Sequence, residues 1–217
     1  MSRLVDLSHT VESGMTTYPG LPAPVISDHL SRSDSRSHYD AGTEFHIGRI
    51  DMVGNTGTYL DTPFHRFEGG ADLADVQLES VAGLPGVCVP IEAYAIGPDL
   101  LSGIEVAGKA VLFASGWDRR WGTDGYGSAD HPHLTAETVE LLVAGEAALV
   151  GIDSVNIDDT RTGSRPAHTG LLQAGIPVVE HLTGLEQLIG TPFRFFAVPV
   201  KVRRFGTFPV RAFAEVE

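Results

Sequence analysis

Glycine and proline interrupt this chain so often that few long elements can form. Glycine occurs 25 times and proline 13 times, 25 + 13 = 38 of 217 residues. That is about 18%, against an average near 12%. Both residues break helix and strand interiors and both favour turns. The sequence therefore points to short strands and tight connections rather than a helical bundle. Hydrophobic residues make up 42%, which suits a packed core and argues against disorder. The length suits one domain, residues 1–217, and no repeat, low-complexity tract or linker divides it.

Charge narrows the function. Fifteen Lys and Arg stand against 28 Asp and Glu, a net −13. Such a surface repels phosphate backbones and anionic lipid, so the expected partner is a small molecule, not nucleic acid or a membrane. No apolar run reaches the roughly 18 residues of a membrane span, and the first residues lack a signal-peptide core. The single cysteine, Cys88, excludes an intrachain disulfide and a cysteine zinc cluster. The expected setting is the reducing cytoplasm.

Apolar and β-branched runs predict strands at 86–91, 110–114, 148–152, 176–179, 195–198 and 210–214. Thr135 predicts a helix N-cap, with Gly145 at the helix's C-terminal end, and Thr183 a shorter helix over 184–189 closed by Gly190. The alternation over 110–198 predicts an α/β fold with a mixed sheet. Ser31–His38 is polar enough for a mobile loop.

One segment concentrates chemistry: Gly54-Asn-Thr-Gly-Thr-Tyr-Leu-Asp-Thr-Pro-Phe-His-Arg66. In an extended chain, residues two apart share a face, so Asn55, Tyr59 and Asp61 would point into one pocket, with Gly57 leaving room for a ligand. Pro63 argues against a helix there and places His65 after a turn. The plain alternative is a half-exposed strand with a satisfied histidine.

The spacing Asn55-Thr-Gly57-Thr58-Tyr59-Leu-Asp61-Thr-Pro63-Phe-His65 resembles the His-x-Gly-Thr-His-x-Asp-x-Pro-x-His hallmark of the cyclase-like metal-dependent hydrolases, a family that includes bacterial kynurenine formamidase and isatin hydrolase. Asp6-Leu-Ser-His9, Tyr18-Pro-Gly20, Ser115-Gly-Trp-Asp118, Gly151-Ile-Asp153 with Asp158, His168-Thr-Gly-Leu-Leu172 and Val179-Glu180 extend the resemblance nearly end to end. The resemblance implies a swivelling β/β/α fold with a mixed sheet, usually assembled as a homodimer or homotetramer. It also implies a binuclear site, of which Asp61, His65, His168 and Glu180 would hold one metal. Asn55 and Tyr59 stand where the two histidines of the other metal would be. A carboxamide binds zinc poorly, and a phenol must first lose a proton from a pKa near 10.

The resulting expectation is a hydrolase of a small amide, lactam or ester, with C–N cleavage favoured. It would use one zinc or manganese per subunit on Asp61, His65, His168 and Glu180. His65 or Glu180 would act as base, Tyr59 as donor to an oxyanion, and Asn55 and Trp117 would touch substrate. Two alternatives stay open: a metal-free cyclase, dehydratase or isomerase using Tyr59 and His65, or a non-catalytic binder on the same scaffold. Trp121 and Tyr126 are further pocket candidates, with core packing the plainer role. His9 and His46 are weak candidates for supporting positions. His131 and His133 read as surface loop residues. Arg161 and Arg165, in a Gly/Ser/Pro loop, are candidates for a substrate carboxylate, against the plainer reading of solvated side chains.

Overall fold

Runs of apolar residues in the middle of the chain become strands buried on both faces. The computed structural model describes residues 2–216. Its strands, in chain order, are β1 (Arg3–Asp6), β2 (Val25–Leu30), β3 (Ile47–Asp51), β4 (Tyr59–Asp61), β5 (Ala82–Pro90), β6 (Ala95–Ile96) and β7 (Ala110–Ala114). They continue with β8 (His133–Leu134), β9 (Leu149–Ile152), β10 (Val178–Glu180), β11 (Phe193–Phe196), β12 (Thr207–Pro209) and β13 (Phe213–Val216). Its α-helices are α1 (Arg32–Ser35), α2 (Pro63–Arg66), α3 (Ala136–Ala144) and α4 (Pro166–Gln173).

Nine strands form one mixed sheet in the order β1-β13-β11-β5-β7-β9-β10-β4-β12. Strands β5, β7, β9 and β10 are parallel neighbours. The flanking pairs are antiparallel. Parallel neighbours need crossovers, and α3 and α4 supply them between β7 and β9 and between β9 and β10. Every residue of β7, β9 and β10 is buried, as expected for parallel strands covered on both faces.

The two-residue period sorts these strands into two cores. Ala110, Leu112, Leu149, Val179 and Leu60 join one cluster with Val5, Phe195 and Ala214. Because that cluster draws on strands from both ends of the sheet, the sheet curls round it. Val111, Phe113, Val150, Ile152 and Val178 face the other way, onto Val139 and Leu142 of α3 and Leu171 of α4. Gly170 lets the helices approach: a Cβ there would lie 2.6 Å from Val139 Cγ1. Strands β2 and β3 pair only with each other, as a separate ribbon.

The α/β class, the mixed sheet and α3 match the sequence reading, and the Thr135 hydroxyl accepts from Thr138 N–H at the start of α3. Several local expectations are corrected. Of the strand expected at 210–214 only Phe213 and Ala214 are strand, as the start of β13; residues 210–212 connect it to β12, with Val210 N–H donating to Thr58 O and Leu7 N–H donating to Ala212 O. The helix expected after Thr183 is a 3₁₀ turn, Leu185–Leu188. The Thr183 hydroxyl donates to Asp118 Oδ2 instead of capping it. Ser31 caps the one-turn α1 where a mobile loop was expected. Pro63 does not prevent a helix; it opens α2 at a position where its missing N–H costs nothing. Helix α4 was not anticipated: Pro166 and Gly170 disguise it, the first starting it and the second packing it.

Gly206 positions α2. A Cβ there would come within 2.6 Å of His65 Cα, and Thr62 N–H donates to Gly206 O at 2.8 Å. Because the obstacle is backbone, Gly206→Ala is expected to cost about 1–3 kcal/mol of stability through overpacking. A thermal or denaturant melt would show it, and an unchanged midpoint would refute this tight fit.

Candidate active site and metal centre

Strand register brings the polar residues together. Antiparallel pairing of β10 with β4 sets Glu180 opposite Tyr59 and Val178 opposite Asp61. Alternation then turns Tyr59, Asp61 and Glu180 to the sheet face covered by α4. All three are at most 1% exposed. On the other side of β4, Thr207 of β12 lies opposite Asp61 and its hydroxyl donates to Asp61 Oδ1. Helix α2 follows β4 at once and folds His65 back, so that its Nδ1 lies 3.7 Å from Asp61 Oδ1 and 2.7 Å from Thr207 Oγ1. The only hydroxyl proton of Thr207 is committed to Asp61. His65 Nδ1 is therefore the donor to Thr207.

His168 arrives on the first turn of α4, aligned by Asp158. Asp158 Oδ1 accepts Ala167 N–H at 2.6 Å. Asp158 Oδ2 accepts His168 N–H at 3.1 Å and the His168 ring at Nδ1 at 2.6 Å. One carboxylate thus caps the helix and fixes the imidazole. Nε2 faces Asp61 Oδ2 and Glu180 Oε1, each 3.7 Å away. Those separations are too long for hydrogen bonds. They are close to the roughly 3.4 Å between two ligand atoms on a tetrahedral ion with bonds of about 2.1 Å.

Ligand atoms of Asp61, His65 and His168 all lie within 4.8 Å of one another. Asp61 Oδ2 is buried and has no hydrogen-bond partner, an expensive state for a carboxylate oxygen. Burial alone would raise the Asp61 carboxyl, but the facing His168 and His65 imidazoles hold it below its ordinary pKa. Burial alone would lower His168, but Glu180, Asp158 and Asp61 lift it well above the usual imidazole value. The site attracts positive charge, and carboxylate with two imidazoles is a normal donor set for zinc or manganese. The residues fit a divalent cation.

Glu180, expected as a fourth ligand, stands beside this group. Its Oε2 accepts Tyr59 O–H at 2.7 Å and its Oε1 accepts Ile157 N–H at 2.6 Å. Burial pushes its carboxyl up to about 7. Behind it lies a chain that the sequence reading missed. His181 Nε2 is 3.2 Å from Tyr59 Oη, and His181 Nδ1 is 2.7 Å from Tyr126 Oη. His181 is neutral, its pKa lowered to about 3 by burial. Since Tyr59 gives its proton to Glu180, His181 carries its own on Nε2, and Tyr126 donates to Nδ1. Every donor points towards Glu180. Burial first, then the Glu180 charge, raises the Tyr59 phenol well above its ordinary pKa, so it is a neutral donor.

A cavity of about 270 Å³ opens over these groups and is lined by Asn55, Tyr59, His65, His168 and Glu180. Tyr18, Asn156, Arg66 and Arg165 also line it. Asn55 reaches the cavity by a different path from the one expected. Only residues 59–61 are strand, and Gly57 turns at φ +65°, its N–H donating to the Thr17 hydroxyl. Trp117, expected to touch substrate, does not line this cavity. It is 4% exposed in a cluster with Tyr126 and Val155, and its indole N–H is given to Tyr126 O. His131 and His133, expected on the surface, are buried, at 0% and 7% exposure. His131 contacts Ser154 and Thr160. His9 stacks on Trp121 at 3.9 Å, and His46 pairs with Asp28 on the β2–β3 ribbon. Cys88 is buried, its thiol pushed up to about 12, unsuited to nucleophilic attack.

A helix-borne histidine thus faces sheet-borne carboxylates beneath a small open cavity. Residues 5–159 match the family described as "Putative cyclase", and the chain belongs to that family. The matched stretch contains Asp61, His65 and Asp158. Over 206 residues the chain is 27% identical to a kynurenine formamidase of Erythrobacter litoralis, covering 92% of this chain and 88% of the relative. The fold is similar to isatin hydrolase A from Labrenzia aggregata bound to benzyl benzoate, at TM-score 0.84 and 24% identity, over 99% of this chain and 94% of that one. It is also similar to a protein described as a potential metal-dependent hydrolase with cyclase activity, at TM-score 0.82 and 22% identity, over 100% and 99% of the two chains.

Asp158→Asn tests the alignment of His168. The amide can still cap α4 but carries no charge to hold the imidazole. Zinc or manganese affinity is expected to fall roughly 10- to 100-fold, as for other residues that support a ligand. Competition with a chelating dye measures it, and unchanged affinity would remove Asp158 from the centre.

Proposed function

We propose that this protein hydrolyses a C–N bond of a small amide or lactam, or a related ester, with one divalent metal, zinc or manganese, held by Asp61, His65 and His168. The observation that carries the reading is Asp61 Oδ2, a buried carboxylate oxygen with no hydrogen-bond partner, facing His168 Nε2 at 3.7 Å. The relatives named as a formamidase and an isatin hydrolase support hydrolysis of a small carbonyl compound. A bound divalent ion would polarise the carbonyl and acidify the attacking water. Three protein ligands leave a position open, the pattern of a catalytic site rather than a structural one.

The remaining work falls to the chain's own groups. Glu180 Oε1, on the side facing His168, takes the proton of the water and later delivers it to the leaving nitrogen. Tyr59 holds Glu180 Oε2 in place, and the His181–Tyr126 pair keeps that phenol aimed. Asn55 and Asn156 line the cavity as neutral donors for the substrate carbonyl. The placement of Tyr59 favours a positioning role over direct contact with an oxyanion, since its one proton is already committed to Glu180.

Elemental analysis of untagged protein purified without chelator is expected to give about one zinc or manganese per chain, lost in His168→Ala. Chelation should abolish turnover of simple amides and lactams, and metal should restore it. Tyr59→Phe is expected to lower kcat by about 10- to 100-fold, as for loss of one hydrogen bond to a charged group. Turnover that survives chelation but not Tyr59→Phe would replace this reading with a metal-free acid–base enzyme. Ligand binding without any turnover would leave a binding protein.

The protein is also proposed to act as a homodimer or homotetramer. The β2–β3 ribbon supports this: Ile26 and Ile50 face each other in register and are 44% and 55% exposed, and Phe45 and Ile47 beside them are 53% and 47% exposed. Replacing Ile26 and Ile50 together by Glu should shift light-scattering mass towards the monomer. A native mass of one chain would refute the assembly.

A further inference from the structure

Strand β9 ends at Ile152, on the carboxyl edge of the parallel part of the sheet, where α/β folds hold their ligands. The next six residues, 153–158, form neither helix nor strand, yet all are buried. Buried chain outside regular structure needs other partners, and this segment is pinned along its length. Asp153 accepts the N–H groups of Ser115 and Gly116. Ser154 Oγ meets the His131 ring at 3.1 Å. Ile157 O accepts Leu134 N–H at 2.9 Å.

Three consecutive residues of the segment reach the candidate site. Ile157 N–H donates to Glu180 Oε1 at 2.6 Å. Asp158 caps α4 and holds the His168 ring. Asn156 lines the cavity that His168 and Glu180 also line. Its carboxamide has a fixed sense. Oδ1 accepts Asp158 N–H at 2.9 Å, so the donor Nδ2 lies at the other end. Among the described residues, Nδ2 is the one side-chain polar atom of the segment with no protein partner. Asn156 is only 9% exposed. The segment therefore presents one immobilised, unused N–H donor beside Glu180 and His168.

We propose that Asn156 Nδ2 is a catalytic oxyanion donor. This rests on the hydrolase reading above and assigns the group that receives the carbonyl oxygen. As water adds, its proton passes to Glu180 and the carbonyl π pair moves onto oxygen. As the C–N bond breaks, that pair returns and the leaving nitrogen takes the proton. A hydrogen bond to a charged oxygen is about twice as strong as one to a neutral oxygen. The donor therefore contributes most after water has added, and its loss falls on kcat rather than KM. Because the Asx turn already holds the amide, no reorganisation is needed at that moment.

The test uses the metal-loaded full chain with formanilide as substrate. Asn156→Asp keeps an acceptor for Asp158 N–H but loses the donor, and Asn156→Ala removes the whole amide. Both are expected to lower kcat roughly 100- to 1,000-fold, the scale of one lost oxyanion donor, with KM within about threefold of native. Chelating-dye titration and circular dichroism melts check that the variants bind metal and fold. Calorimetry adds a readout that a purely structural role would not move. Phenylphosphonate offers tetrahedral anionic oxygens, and benzamide a planar neutral carbonyl. Asn156→Ala should weaken phenylphosphonate at least about tenfold and benzamide less than about threefold. A native-like kcat in Asn156→Asp, or equal weakening of the two ligands, overturns the assignment. If the native protein leaves formanilide intact, the amide reading fails on its own, and the phosphonate–benzamide difference decides for or against the donor. Native protein that binds neither ligand overturns the donor as well.

Discussion

The carboxylate of Asp158 holds the site in register. One oxygen takes the N–H of Ala167, and the other takes both the N–H and the ring of His168. The start of a helix and the orientation of an imidazole are thereby tied to one buried group, itself 0% exposed. Without it, α4 would begin with unpaired N–H groups, and His168 would be free to rotate away from Asp61. The sheet supplies the facing half. Pairing of β4 with β10 sets Asp61 and Glu180 on the face that α4 covers, and a slip of one residue would turn both to the opposite core.

Three carboxylates, Asp61, Asp158 and Glu180, lie within a few ångströms of His168 in a region at most 1% exposed. Burying so much negative charge is costly unless each group is compensated. Asp158 is compensated by α4. Glu180 is compensated by Tyr59 and the Ile157 N–H. Asp61 has Thr207 on one oxygen and nothing on the other. The deficit is local and directional, and a cation shared with His168 and His65 would remove it.

Much of this was legible before any coordinates. Short apolar and β-branched runs located the central strands, and Thr135 located α3, because both signals are local. Asp61 and His65 were singled out by their match to the family motif, and His168 only by the wider family resemblance, since alone it reads as a loop histidine. Gly170 and Pro166 hid α4: their reasons, packing on Val139 and opening a helix, exist only in three dimensions. His181 was overlooked because a histidine at the end of a strand carries no spacing signal. Its role depends on Tyr126, 55 residues away. Trp117 misled for the opposite reason. Aromatic residues suit both pockets and cores, and only the commitment of its indole N–H to Tyr126 O decides for the core.

The two departures from the family motif acquire a common meaning in this geometry. Imidazoles at 55 and 59 would be ligands; an amide and a phenol there are hydrogen-bonding groups. The phenol is not a vestige, because it has two partners aligned in one direction, His181 behind and Glu180 ahead. A second cation near Tyr59 would have to displace that proton from a buried phenol whose ionisation is strongly disfavoured by burial and by the charge of Glu180. With a phenol at 59, Glu180 is a carboxylate held by Tyr59 and the Ile157 N–H. On the proposed reading one side of the site would bind the ion and the other would handle the proton, a division that follows the strand pairing of Tyr59 with Glu180.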